Sequence, residues 1–108
     1  MNPQQAIGQY ELLCQLTELM LQAADRGEWD QLIELEQRYR IAANTIRLTD
    51  YESMLDERSR QHMMRLIQTV LDNEEKIRNH TESRLRQLKV SMQSNRQEQR
   101  LTQAYGAR

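Results

Sequence analysis

Apolar residues recur at intervals of three and four along most of the chain, which is the spacing of one face of an α-helix. The first series runs through Ile7, Tyr10, Leu13, Leu16, Met20 and Ala24. A second follows almost at once, through Trp29, Leu32, Ile33, Tyr39, Ala43 and Ile46. A third continues from Met54 to Met92. The pattern predicts three amphipathic helices.

The few chain-breaking residues set the predicted boundaries. Pro3 suits a first helical turn that Asn2 can cap, and Gly27 can adopt the left-handed conformation that ends the first helix. We predict helices over about residues 3–26, 28–48, 51–93 and 96–105. The predicted fold is all-α, a single domain over residues 1–108: an antiparallel bundle of three helices with a long third helix and a short C-terminal helical segment.

The predicted third helix is longer than its neighbours. A helix of about 40 residues is about 60 Å long, whereas helices of about 20 residues reach only about 30 Å. The hairpin of the first two helices therefore leaves half of the third uncovered, including Ile77, Leu85, Leu88 and Met92. An apolar stripe left in water usually marks an interface. It can be covered by a second copy, by a partner protein, or by the chain's own last segment.

Composition bears on the cellular compartment of the protein and on membrane association. Of 108 residues, 38% are hydrophobic and only one, Cys14, is cysteine, so no internal disulfide and no cysteine-based zinc cluster can form. The N-terminus lacks the features of a signal peptide, and no apolar run approaches the roughly 20 residues that span a bilayer. We expect a soluble, cytoplasmic protein without membrane insertion.

Charge is distributed unevenly along the chain. Residues 1–75 carry 7 basic and 14 acidic residues, a balance of −7, whereas residues 76–108 carry 8 basic and 2 acidic residues, a balance of +6. The basic half is diluted by Gln and Ser and has no interleaved aromatic residues. A solvated helix face that partly neutralises the acidic half is therefore favoured over direct nucleic-acid binding.

Candidate chemistry is sparse in this sequence. His62 and His80 are five helical turns apart, about 27 Å, which excludes a shared metal ion. The sequence has no glycine-rich phosphate loop and no nucleophile set beside a base, and a narrow bundle offers little room for a catalytic pocket. We therefore expect a protein that is not an enzyme and needs no cofactor.

Three segments in matching order resemble one family. They are RGEWD at residues 26–30, LDNE at 71–74, and LTQAYG at 101–106. Together with Arg84-Leu85 and Leu88 they look like the landmarks of FliT, the flagellar export chaperone. The resemblance implies an all-helical, non-catalytic, cytoplasmic protein that binds the C-terminal region of the filament-cap protein FliD, prevents its premature assembly and delivers it to the export gate.

The resemblance also implies further partners and site residues. Family members contact the export gate protein FlhA, the export ATPase and its associated proteins, and in enteric bacteria the flagellar master regulator FlhDC. The family's gate-docking tyrosine falls on Tyr105. The third-helix surface that holds FliD would include Ile77, Leu85, Leu88 and Met92, which are assigned from the stripe. Trp29, beside Gly27, is expected to pack the turn between the first two helices.

Two alternatives to the chaperone remain open. The first is a helical homodimer with Tyr105 and the stripe as its seam, and the second is a transcription-regulatory protein without an export role. In addition, Leu101 and Tyr105 can cover the stripe, bind the gate, or do each in turn. Family members continue past the AYG segment, whereas this sequence stops at Arg108, so the resemblance leaves open whether self-inhibition and regulator binding carry over.

Overall fold

The computed structural model describes residues 2–47, 55–90 and 95–106. They form four α-helices and a π-helical turn: α1 Pro3–Asp25, α2 Trp29–Arg47, α3 Glu57–Val90, α4 Asn95–Leu101 and the turn Thr102–Gly106. The predicted all-α class, with a long third helix and a short C-terminal helical segment, is confirmed. The predicted boundary between the second and third helices, at residues 48–51, and the predicted end of the third helix near residue 93 lie outside the described residues.

The start of α1 is fixed by a capping box. The Asn2 side chain accepts a hydrogen bond from the Gln5 backbone N–H at 2.8 Å, and the Gln5 side chain accepts one from the Asn2 N–H at 2.9 Å. Two N–H groups that have no partner within the helix are thereby satisfied, and Pro3 supplies the first helical residue. The local sequence alone is enough to begin this helix.

The end of α1 is fixed by Gly27, which has a φ of +70°. The Gly27 N–H donates to the Ala24 carbonyl at 3.2 Å and the Glu28 N–H donates to the Ala23 carbonyl at 2.8 Å, the paired bonds of a Schellman motif. α2 begins two residues later at Trp29. The tight turn folds α2 back along α1 as an antiparallel hairpin.

We expect Gly27→Ala to destabilise the protein by about 1 kcal/mol, because a Cβ disfavours positive φ. This corresponds to a fall of about 5 °C in Tm. Gly8→Ala is the matched control, since Gly8 lies inside α1 and, beyond the local helix backbone and the two neighbouring residues, no atom lies within 4 Å of the added Cβ. This change should leave Tm unchanged or raise it. Thermal unfolding followed by circular dichroism measures both. Equal effects of the two changes would contradict the assigned role of Gly27.

α3 begins at Glu57, later than the predicted start near residue 51. The Asp56 side chain accepts a hydrogen bond from the Ser59 N–H at 2.8 Å, which caps the helix. The same bond holds the pKa of the Asp56 carboxyl below its usual value, because it favours the ionised form. Leu55 is buried although it precedes the helix, so its apolar character reflects packing and not helix continuation.

α1 is the central helix of the bundle and packs along both α2 and α3. The Cys14 thiol donates to the Leu66 carbonyl at 3.2 Å, and the Asn73 amide donates to the Thr17 hydroxyl at 3.2 Å. From the first pair to the second, the residue number increases in both α1 and α3. α3 therefore runs parallel to α1 and antiparallel to α2. The main core lies between the three helices and includes Leu13, Leu16, Met20, Leu32, Leu35, Val70 and Ile77.

Candidate functional site

The C-terminal segment, residues 95–106, folds back and contacts both α2 and α3. Leu101 of α4 is fully buried, in a second apolar cluster with Ile33 of α2 and Leu88 of α3. Leu85 and Tyr105 pack against the same cluster. We call this site the tail groove: an apolar groove between α2 and α3, filled by the chain's own C-terminal segment.

The tail groove corrects the expectation of an uncovered stripe. Ile77 is only 1% exposed and belongs to the main core, and Leu88 is 4% exposed. Leu85 is half-buried, and Met92 lies outside the described residues. Of the three covers that the sequence left open, the chain's own last segment is the one observed. Ile77 is therefore a core residue, whereas Leu85 and Leu88 line the groove.

The extent of the overhang also differs from the prediction. The Arg84 guanidinium lies 5.8 Å from the centre of the Trp29 ring, so the tip of the α1–α2 hairpin reaches α3 at Arg84. Ile77 lies beside the hairpin, whereas Leu85 and Leu88 lie at its tip. Fewer than two turns of the described α3 extend past Arg84. The prediction of a half-uncovered helix was wrong because α1 packs along much of α3, from the Glu11–His62 contact to the Asp25–His80 contact, and the C-terminal segment covers Leu88.

Tyr105 connects the two apolar clusters. It lies in the π-helical turn that follows α4, is half-buried, and packs against both the main core and the tail-groove cluster. A π-helical turn widens the helix locally and is frequent at functional sites. In this structure, part of the Tyr105 ring is held against the groove instead of facing a partner.

Polar contacts hold the C-terminal segment at both sides of the groove. Arg84 of α3 donates two hydrogen bonds to the Gln97 side-chain oxygen, at 3.0 and 2.6 Å. Arg100 of α4 forms an ion pair with Asp30 of α2 at 2.8 Å. Arg84 also lies over the Trp29 ring, in cation–π geometry. The segment is therefore fastened to both helices that form the groove.

We expect Arg84→Ala to loosen the C-terminal segment without unfolding the bundle. Two hydrogen bonds to a charged group stabilise docking by about 1–2 kcal/mol, so amide exchange in residues 95–101 should be about tenfold faster or more. Arg86→Ala is the matched control, because Arg86 is exposed on the same helix. Hydrogen exchange measured by mass spectrometry provides the comparison. Unchanged exchange in Arg84→Ala would show that the contacts of Arg84 do not hold the segment.

The sequence did not reveal the residues that fasten the segment. Arg84, Gln97, Asp30 and Arg100 lie on three different helices, and no spacing rule along the chain connects them. Asp30 and Arg84 lie among the family landmarks, but the signal that bears on their contacts was the charge asymmetry, because it predicted that the basic half partly neutralises the acidic half. The Arg100–Asp30 pair is one such contact.

The one thiol of the sequence, Cys14, is buried in the main core. Burial raises the pKa of the Cys14 thiol, and the nearby Glu18 and Glu11 carboxylates raise it further, which disfavours the reactive thiolate. Within the described residues, no three His, Cys, Asp or Glu side chains are grouped so that they could hold a metal ion. In the same part of the chain, no helix is long and apolar enough to cross a membrane.

The fold and the tail groove define a small all-helical binding protein whose own C-terminal segment fills an apolar groove. A family model described as "Flagellar protein FliT" matches residues 7–107, so the chain belongs to the FliT family. FliT of Photorhabdus laumondii is 30% identical over 105 residues, which cover 97% of this chain and 84% of that protein. FliT of Cronobacter sakazakii is 30% identical over 104 residues, with 94% and 83% covered.

No solved structure matches the chain significantly. The family assignment therefore rests on sequence, and it covers nearly the whole chain. Membership supports a role as a flagellar export chaperone and agrees with the all-helical fold.

Proposed function

We propose that this protein is a cytoplasmic chaperone of type III flagellar export that binds an amphipathic helix from the C-terminal region of FliD in the tail groove. Occupying that helix would keep the cap protein from assembling early. Family membership supports the chaperone role. The action proposed is binding without catalysis.

The observation that carries the proposal is the tail-groove cluster itself. It is lined by apolar side chains from two helices, Ile33, Leu85 and Leu88, and its occupant is the C-terminal segment, which inserts Leu101 and packs Tyr105 four residues later. A site that accepts side chains four residues apart from one helical segment is suited to accept the apolar face of an amphipathic helix. The chain's own segment thus indicates the chemistry of the cargo.

The C-terminal segment would then compete with the cargo. Displacement of α4 by a FliD helix would free Tyr105 from both apolar clusters, so that docking to the export gate protein FlhA follows cargo loading. The ATPase with its associated proteins and the regulator FlhDC are further proposed partners. This coupling makes self-inhibition a proposed property of the chain, supported by the segment that fills the groove.

Leu85→Asp tests the cargo site. Leu85 is half-buried in the groove wall, so a carboxylate there opposes apolar cargo while leaving the main core intact. We expect binding to the isolated C-terminal region of FliD to weaken at least about tenfold in titration calorimetry. Leu71→Asp is the control, because Leu71 is 51% exposed on the same helix. Equal binding by wild type and Leu85→Asp would refute the tail groove as the cargo site.

The homodimer remains a separate prediction. Of its proposed seam, Ile77 lies in the main core, and Leu85 and Leu88 pack with the C-terminal segment in this structure. Sedimentation of the free chain over a concentration range tests it. A dimer that survives Leu85→Asp would have its seam elsewhere.

A further inference from the structure

Two exposed leucines lie on the solvent side of α1. Five large apolar side chains are well exposed among the described residues, and two of them, Leu12 at 39% and Leu19 at 49%, lie on α1 seven residues apart. The row that contains them steps alternately by four and three residues: Gly8, Leu12, Gln15, Leu19 and Gln22. Leucine thus repeats at one of the two alternating positions of a heptad contact row, and glycine or glutamine occupies the other. We call these five residues the outer seam.

The outer seam is open to an approaching helix. All five residues are exposed, and beyond the local helix backbone and the two neighbouring residues no atom lies within 4 Å of the position that a Cβ would take on Gly8. At the other end, Leu19 borders a cleft of about 160 Å³ between α1 and α2, whose lining is mixed: Ala23 and Leu35 with Gln22, Arg26, Glu28 and Gln31. A partner helix can therefore approach Gly8 closely and reach both apolar and polar groups near Leu19.

An acidic row runs beside the outer seam. Glu11, Glu18 and Asp25 are also seven residues apart, and all three are exposed. His62 lies 3.6 Å from Glu11 and His80 lies 2.6 Å from Asp25, contacts that become ion pairs only when those histidines are protonated. The surrounding part of the chain, residues 1–75, has a charge balance of −7. Charges that flank a coiled-coil seam select the partner.

We propose that the outer seam is a second docking surface, which binds an amphipathic helix with apolar residues at heptad spacing and a Lys or Arg row facing Glu11, Glu18 and Asp25. The charge pattern selects this partner over an antiparallel second copy of the chain. Antiparallel pairing of two copies through α1 would place one acidic row against the other, and like charges at that spacing repel. A basic helix instead can pair with Glu18, and with the exposed parts of Glu11 and Asp25 beside their histidine contacts.

This surface is distinct from the tail groove. The outer seam lies on the side of α1 near α2, with Leu19 and Leu35 bordering one cleft, whereas the tail groove lies between α2 and α3. Cargo and a basic helix can therefore be bound at the same time. The inference does not depend on the identity of the cargo.

The test uses the full chain and two synthetic three-heptad peptides. Both carry leucine at the seam positions, and their flanking positions are all lysine in one peptide and all glutamate in the other. We expect saturable binding of the lysine peptide in fluorescence anisotropy, at least about tenfold tighter than binding of the glutamate peptide. Leu19→Asp should weaken binding of the lysine peptide about tenfold or more. Glu18→Lys should weaken it about threefold, and this effect should become smaller at high salt because salt screens exposed charges.

Ile41→Asp is the matched control, because Ile41 is 69% exposed on α2 and lies outside the seam. It should leave lysine-peptide binding unchanged, and Leu19→Asp should leave binding of FliD unchanged. Equal affinity for the two peptides, absence of saturable binding, or equal loss in Ile41→Asp would overturn the proposal. A dimer of the free chain that Leu19→Asp abolishes would also overturn it, because the face would then belong to a second copy.

Discussion

Leu101→Asp should release the C-terminal segment and raise the affinity for the FliD C-terminal region about tenfold. Leu101 is fully buried in the tail groove, and burying a leucine side chain stabilises its docking by about 1.5–3 kcal/mol. An ionised carboxylate cannot take its place without a partner, so the segment leaves the groove. In wild type, cargo binding must overcome the free energy that docks the segment. Each 1.4 kcal/mol by which this docking is weakened raises the apparent affinity about tenfold.

The control for this change is Gln99→Asp, which adds the same charge at an exposed position of the same helix. Its affinity should match that of wild type in titration calorimetry. Thermal unfolding of Leu101→Asp should remain cooperative, because the main core contains no residue of α4. If Leu101→Asp bound the FliD region no better than Gln99→Asp, the segment and the cargo would not compete for one site.

Tyr105→Ala should abolish docking of the loaded chaperone to FlhA while FliD binding survives. Tyr105 is the residue that the family resemblance assigns to the gate, and in the free chain its ring packs against both apolar clusters. Removing the ring deletes the proposed docking group and also weakens the cover of the groove. We therefore expect FlhA binding to fall below detection and FliD binding to be unchanged or stronger.

Capture of the chaperone–FliD complex on immobilised FlhA measures this effect. Gln103→Ala, at an exposed position of the same π-helical turn, is the control and should dock normally. Loss of FliD binding together with FlhA binding would assign Tyr105 to the packing of the bundle. Normal docking by Tyr105→Ala would place the gate contact elsewhere in the chain.

Helix periodicity and chain breakers predicted the elements of this fold well. The Asn2 cap and the left-handed Gly27 are local features, because the hydrogen bonds at each of them join residues only a few positions apart in the sequence. The start of α3 was missed because Leu55 continues the apolar pattern while Asp56 caps the helix after it. Apolar spacing identifies a buried position, but it does not say whether the backbone there is helical.

The candidate site was predicted only in part. The stripe on α3 identified the face that is buried, but Ile77 and Leu88 share that face and have different neighbours. Which helix covers each residue depends on where the hairpin ends, and this end is marked by the contact of Trp29 with Arg84. That contact joins residues from α2 and α3, so no periodicity in one helix encodes it.

The central claim is that cargo and the C-terminal segment compete for the tail groove. Hydrogen exchange of residues 95–101 in the full chain, with and without the FliD C-terminal region, tests it most directly. We predict that saturating FliD removes protection from this segment while the amides of α1 keep theirs. Unchanged or increased protection of residues 95–101 in the complex would contradict the claim.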